Sequence, residues 1–187
     1  MHAAWIRIER WLRVNAPPVL ENLRSGTTAA ELRYAEQRLG VTLPDDVRAF
    51  YRLHNGQSNP DLGFIEGREF LSLARVVKYW CMWKDLLDKQ VFAHDRSEPV
   101  GPIVADWWHA CWIPLTDDCA GNHYCLDLAP ARGGDCGQII TMWHDDPLRE
   151  IVAPSFTAWL TAFADDLEQG AYVFLADRRQ FCRVEDV

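Results

Sequence analysis

The chain has 187 residues, enough for one domain with a sizeable core, and 49% of them are apolar, which sets it apart from disordered sequences. Its formal charge is −8, which argues against a nucleic-acid-binding surface and against docking on anionic lipid, since both need clustered Lys and Arg. The same charge is compatible with a basic protein partner, because opposite fields speed encounter.

Six cysteines (Cys81, Cys111, Cys119, Cys125, Cys136 and Cys182) contain no Cys-x-x-Cys pair. Charges interrupt the apolar residues of the first ten positions, so no signal peptide is legible, and no apolar run is long enough to span a bilayer. Free thiols in a reducing, cytoplasmic setting are the expectation.

Residues 3–14 read as a helix, with Trp5, Ile8 and Leu12 on one stripe and Arg7, Arg10 and Arg13 away from it. Pro17-Pro18 stops it. Residues 19–23 read as a turn or a short extra helix. Thr28 and Glu31 form a capping box, Leu32, Ala35 and Leu39 give the next apolar stripe, and Gly40 ends it. Pro44 suits the first position of another helix, with Asp45 and Asp46 in its first turn and Val47, Phe50, Tyr51 and His54 on one face. Asn55-Gly56 ends that helix, and residues 57–63 read as loop. Phe64-Ile65 and Phe70-Leu71 read as a hairpin around Glu66-Gly67-Arg68. Ser72 caps a helix running to about Leu87, with Val76, Trp80, Trp83 and Leu87 at helical spacing. Residues 88–102 are polar with two prolines and read as loop. Residues 103–111, with Trp107-Trp108, fit a strand, a turn or an exposed aromatic ledge.

The chain is organised around residues 112–159. Strands are expected over 112–116, 123–128 and 138–144. In the second, Tyr124, Leu126 and Leu128 face one way and Cys125 and Asp127 the other. The third is apolar on both faces, as a central covered strand would be. An outer strand is expected over 150–153. A helix capped by Ser155 then carries Phe156, Trp159, Leu160, Phe163 and Leu167 on one face, and Gly170 ends it. Residues 172–174 fit a short strand, and 177–187 read as charged and loosely held. The expected organisation is an N-terminal helix and Pro-rich link (1–24), an α+β domain (25–175) and a charged tail (176–187). The fold class is N-terminal helices, then a mostly antiparallel sheet, then a closing C-terminal helix.

No catalytic constellation stands out. His109, Cys111, Cys119, Cys125, Cys136 and His144 lack the tight ligand pairs that zinc sites use, so buried structural cysteines are the favoured reading and no metal or cofactor is expected. Cys119 and His123 lack a recognisable nucleophile motif, and Ser155 already has a cap to make. Gly133-Gly134 and Gly137 precede a strand, which suits a hairpin turn and not a phosphate cradle. Asp117-Asp118 and Asp145-Asp146 sit in turns between strands, where Asp bonds its own backbone. If both turns lie at one end of the sheet they form an acidic rim. Adjacent Trp107 and Trp108 cannot share one face of a regular strand, so either one is exposed and a candidate interface anchor, or both pack in an irregular segment.

Several short motifs occur in an order that resembles the SUKH superfamily. They are Leu43-Pro44-Asp45-Asp46, Asn55-Gly56, Trp112-Ile113-Pro114, Tyr124-x-Leu126-Asp127-Leu128, Gly137-Gln138-Ile139-Ile140, and Ala153-Pro154-Ser155-Phe156 through Trp159-Leu160. The resemblance covers roughly residues 25–174. One departure is Gly121-Asn122, where members often carry Gly-Asp. The resemblance implies a non-enzymatic binding protein, foremost an immunity protein that occludes a cognate, basic toxin, with an intracellular scaffold or regulator of the fungal cell-wall type as the alternative. Trp107, Trp108, Asp117, Asp118, Asn122, Asp145 and Asp146 are the candidate partner-binding residues, and lysines in place of Asp117-Asp118 are expected to weaken binding.

Overall fold

The structure is a computed structural model that describes residues 1–178 and 180–187. Helix α1 (His2–Asn15) buries Trp5, Ile8 and Leu12 as its stripe requires. The two prolines do more than stop it: they open a second short helix, α2 (Pro17–Asn22), because proline at a helix start lacks only an N–H that has no partner there anyway. Strand β1 (Leu23–Ser25) follows, then α3 (Ala29–Leu39), where both halves of the Thr28–Glu31 capping box are made and Gly40 closes the helix with φ of 71°. Helix α4 (Asp45–Leu53) buries Val47, Phe50 and Tyr51. The helix ends at Leu53, so His54, expected on its apolar face, and Asn55-Gly56, expected as its stop, instead open a strand, β2 (His54–Gln57), antiparallel to β1. Gly56 within it has φ of 72°, and a Cβ there would meet the Ser72 backbone at 2.2 Å, so only glycine fits.

Glu66 and Gly67 take positive φ in a tight turn whose bridge joins Ile65 to Arg68. Phe70, however, pairs elsewhere: β3 (Glu69–Phe70) runs antiparallel to β6 (Thr116–Asp117). Ser72 accepts from the Arg75 N–H and starts α5 (Leu73–Asp88).

The principal sheet has five strands in the order β4 (Glu98–Val100), β9 (Leu148–Ala153), β8 (Gln138–Met142), β7 (His123–Asp127), β5 (Trp112–Pro114). All its pairings are antiparallel except β4 with β9. As its two-faced apolar pattern requires, β8 is central. The stretch expected as one strand over 112–116 breaks at Leu115, so β5 pairs with β7 while β6 pairs with β3. The segment 88–102, polar with two prolines and expected as loop, contributes β4; Pro99 fits there because β4 is an edge strand, where a missing donor is tolerated.

Alternation divides the core in two. Ile113, Tyr124, Leu126 and Ile139 face a large core shared with α1, α3, α4 and α6 (Phe156–Glu168). Trp112, Cys125, Ile140 and Met142 face a smaller one with Ile103 and Trp108, covered by Trp80, Trp83 and Leu87 of α5. Edge-on aromatic contacts lace the large core, among them Trp5–Phe50 at 5.5 Å, Phe50–Phe70 at 5.2 Å and Phe64–Phe163 at 5.5 Å. Each such pair contributes about 0.5–1.5 kcal/mol beyond its buried area. Arg7 of α1 ties to Asp165 and Glu168 of α6.

Residues 180–183, within the stretch expected to be loosely held, form a paired strand. Strands β10 (Tyr172–Leu175) and β11 (Gln180–Arg183) form an antiparallel hairpin that puts Phe181 and Cys182 inside. The charges of this segment concealed two adjacent buried residues, Phe181 and Cys182.

Candidate functional site

Trp107 and Trp108 lie in an irregular segment, which resolves how neighbours in sequence face different ways. Trp108 is 2% exposed and packs against Trp83 and Trp80, each with ring centroids 6.3 Å away. Trp107 stays half-exposed under the guanidinium of Arg149, 5.4 Å from its ring. Arg149 is itself fully buried. It donates to the carbonyls of Asp146 at 2.5 Å, Leu148 at 2.8 Å and Trp107 at 3.0 Å. Its charge is thus met by backbone oxygens, and burial holds its pKa below the usual arginine value. A cavity of about 360 Å³ beside it is lined by Trp107, Trp108, Leu87, Phe92, Arg96 and His109.

The two acidic turns do meet at one end of the sheet. In the β6–β7 turn, Asp118 accepts from the N–H groups of Ala120 and Asn122 and from the Asn122 side chain at 2.8 Å. Asn122 Oδ1 in turn accepts from the His144 N–H at 3.0 Å, across to the β8–β9 turn. Asp145 and Asp146 are exposed there, and Asp146 caps the Leu148 N–H. Burial pushes the Asp118 carboxyl up, but the N–H of Ala120, both donors of Asn122 and the Arg68 guanidinium more than reverse this and hold it below the usual range. Arg68 lies 3.1 Å from Asp118 and stacks 4.7 Å from the Trp143 ring, so the rim is partly neutralised. Beneath this surface the buried Arg149 links the Asp146 and Trp107 carbonyls.

Asp117 points the other way. It is 2% exposed, accepts from the Tyr79 hydroxyl at 2.7 Å, and lies 3.8 Å from Arg75. Opposite it in the β3–β6 register is Glu69, equally buried and 2.8 Å from Arg75. Burial raises the Glu69 carboxyl, and burial plus the bond to Asp117 pushes the Tyr79 hydroxyl up to about 12. His123, fully buried, contacts the Thr116 carbonyl through Nδ1 at 2.7 Å, and burial depresses its pKa, so it is neutral. Two carboxylates, a phenol and an imidazole resemble an acid–base set, but Glu69, Asp117 and His123 are sealed from solvent. They clamp α5 to the β3–β6 pair.

Five of the seven candidate residues therefore share one surface: Trp107, Asp118, Asn122, Asp145 and Asp146. Asp117 and Trp108 lie beneath it, so neither side chain is presented to a partner. Arg68, Glu69, Arg75, Tyr79 and Arg149 were missed, because their partners are distant in sequence and no local pattern announces them. Among the described residues no group of three or more His, Cys, Asp or Glu side chains is placed to hold a metal, and all six cysteines are free. Among the described residues no helix is long and apolar enough to cross a membrane.

Comparison with known proteins adds what this geometry lacks. The chain is 30% identical to a cell wall biosynthesis and cell cycle regulator of Schizosaccharomyces pombe over 91% of its own length and 36% of the relative's. It is 30% identical to a glucan synthesis regulatory protein of Neurospora crassa, over 91% and 39% of the two chains. It is 26% identical to a cell wall assembly regulator of Saccharomyces cerevisiae, over 95% and 42%. The chain thus spans about two fifths or less of the length of these relatives. Residues 26–162, from the residue before the α3 cap region into α6, match the SMI1 / KNR4 family (SUKH-1), and the chain belongs to that family.

Proposed function

We infer that this chain is a protein-binding module of the regulatory kind, acting by occupying a partner and not by catalysis. The observation that carries this reading is its family membership together with relatives named as regulators of cell wall and glucan synthesis. Those names favour the regulator over the toxin-neutralising immunity protein that the sequence resemblance put first, since none of them refers to a toxin. The sealed Glu69–Asp117–His123 cluster supports binding over chemistry, because no substrate atom reaches it. The partner surface in this reading is the edge formed by Trp107, Asp118, Asn122, Asp145 and Asp146, which suits a basic patch.

The test is affinity capture with the full chain as bait in the organism that encodes it, repeated with Asp145→Lys/Asp146→Lys. Capture of proteins that control wall synthesis, lost with the double variant, supports the reading. Capture of one basic, growth-inhibiting protein that co-expression silences would overturn it in favour of immunity.

A further inference from the structure

A second surface lies away from the acidic edge and shares no residue with it. Between α3 and α5 runs a groove of about 600 Å³. Its floor is Ala35, Leu73 and Val77, and Ala30 and Ala74 keep its walls low. Tyr34, at its lip, is 60% exposed, and Met82, one turn beyond Lys78, is 53% exposed. Large apolar side chains standing in water beside small ones make a groove that another chain can enter.

The charges of the groove run against those of the molecule. Its one carboxylate, Glu31, is consumed by the capping box: the Thr28 N–H foremost, then the Thr28 and Thr27 hydroxyls, hold its pKa down. Neither of its two cations forms an ion pair among the described residues: Lys78 stands 5.8 Å from the Tyr79 ring, and Arg38 meets neutral groups, the Cys81 sulfur at 3.8 Å and the Tyr34 hydroxyl. At one end, Asn55 accepts from the Leu73 N–H through Oδ1, and its amide hydrogens have no acceptor among the described residues. A cationic, apolar groove on a chain of net charge −8 is complementary to carboxylates, unlike the bulk of its own surface.

We propose that the α3–α5 groove docks an acidic, apolar peptide segment of a partner protein, its large apolar side chains over Ala35 and Val77 and its flanking carboxylates on Arg38 and Lys78. The proposal rests on the reading of this chain as a protein-binding module and gives the chemistry of one partner segment. It needs no strand edge and no catalysis: helix walls receive the apolar side chains, and the two cations set their position along the groove.

The experiment selects a displayed library of short random peptides on the full chain, then measures synthetic copies of the enriched peptides by fluorescence polarisation. The proteins compared are wild type, Arg38→Glu/Lys78→Glu, the groove-filling Ala74→Trp, and Asp145→Lys on the other surface. Melting temperatures are matched first, so that a poorly folded variant is recognised. The expected winners carry Asp or Glu beside large apolar residues. They lose about tenfold or more in affinity on the charge-reversed protein, as two reversed ion pairs imply, and lose binding to Ala74→Trp, but bind Asp145→Lys as they bind wild type. No enrichment, winners without carboxylates, or equal affinity for the charge-reversed protein would overturn the proposal. So would dimerisation of the chain abolished by Ala74→Trp, which would make a second copy the occupant. If the groove fails while Asp145→Lys/Asp146→Lys still loses its cellular partner, the proposed function stands without it.

Discussion

Asn122 joins the two turns at the end of the sheet: its Oδ1 accepts from the His144 N–H at 3.0 Å while its Nδ2 donates to Asp118 at 2.8 Å. An asparagine does both and an aspartate does not. This gives a physical reason for asparagine after Gly121 in this turn. Asn122→Ala removes both bonds, although Asp118 keeps its backbone donors and Arg68, and is expected to cost about 0.5–1.5 kcal/mol. Asn122→Asp keeps the acceptor but sets a carboxylate oxygen against Asp118. It should cost a similar amount at neutral pH, with the gap to wild type narrowing as pH falls towards about 4 and the new carboxylate is protonated. Thermal melts across pH separate the two variants. Asn122→Asp as stable as wild type at pH 7 would show that the Nδ2 bond to Asp118 contributes nothing.

Asp117 and Asp145 both read as acidic turn residues, yet they will respond oppositely to charge reversal. Asp117→Lys sets a cation against Arg75 in a sealed cluster and strips the Tyr79 hydroxyl of its acceptor, at an expected cost of about 3–5 kcal/mol. Asp145→Lys changes an exposed side chain and should stay within about 0.5 kcal/mol. Denaturant unfolding of the two single variants reads this directly. It also means that lysines at Asp117-Asp118, the natural first choice for testing an acidic rim, would confuse lost binding with lost folding, whereas Asp145 and Asp146 would not.

What the sequence disclosed was local. The Thr28–Glu31 box, the Ser72 and Ser155 caps and the alternation that sorts Tyr124 and Leu126 from Cys125 depend on near neighbours, and each is found in place. The misses depend on partners far along the chain. β4 exists because β9 offers it an edge, and β3 pairs with β6 because the chain bends at Leu115. Asp117 turns inward because Arg75 and Tyr79, on a helix some forty residues earlier, wait for it. Juxtaposition of the acidic turns was foreseen as a condition. Which aspartates would face water was not, since alternation does not govern a two-residue strand running into a turn.

His123 makes stability depend on pH. The folded imidazole is held neutral by burial, with the Thr116 carbonyl and Asp117 opposing that effect only partly, while the unfolded imidazole takes a proton near pH 6.5. Because the folded pKa is the lower one, stability is complete above about pH 6.5 and is lost as pH drops below it, by up to about 1.4 kcal/mol per pH unit. His54, also depressed by burial, adds the same sign, and Glu69, whose carboxyl is raised, acts in the opposite sense. His123→Gln should flatten the fall in melting temperature between about pH 7 and 5.5, whatever its effect at pH 7. An unchanged slope would mean that His123 is protonated in the folded protein.

Phe181 tests how firmly the end of the chain is held. It is 1% exposed, its ring lies 5.3 Å from Tyr172, 6.3 Å from Phe163 and 5.9 Å from Trp11, and so it joins β11 to β10, α6 and α1 at once. Arg183, two residues on, anchors the same strand to Asp166 at 3.0 Å. Phe181→Ala removes a ring from a packed site that closes only partly and is expected to cost about 3–5 kcal/mol. Val184→Ala, on an exposed neighbour, should cost no more than about 0.5 kcal/mol. Urea unfolding of both variants, with proteolysis to locate the opening, checks the contrast. A Phe181→Ala protein that unfolds at the wild-type urea concentration would mean that the large core is complete without the hairpin. A large loss, with cleavage appearing first between β10 and β11, would mean that the last strand is part of what holds α1 against α6.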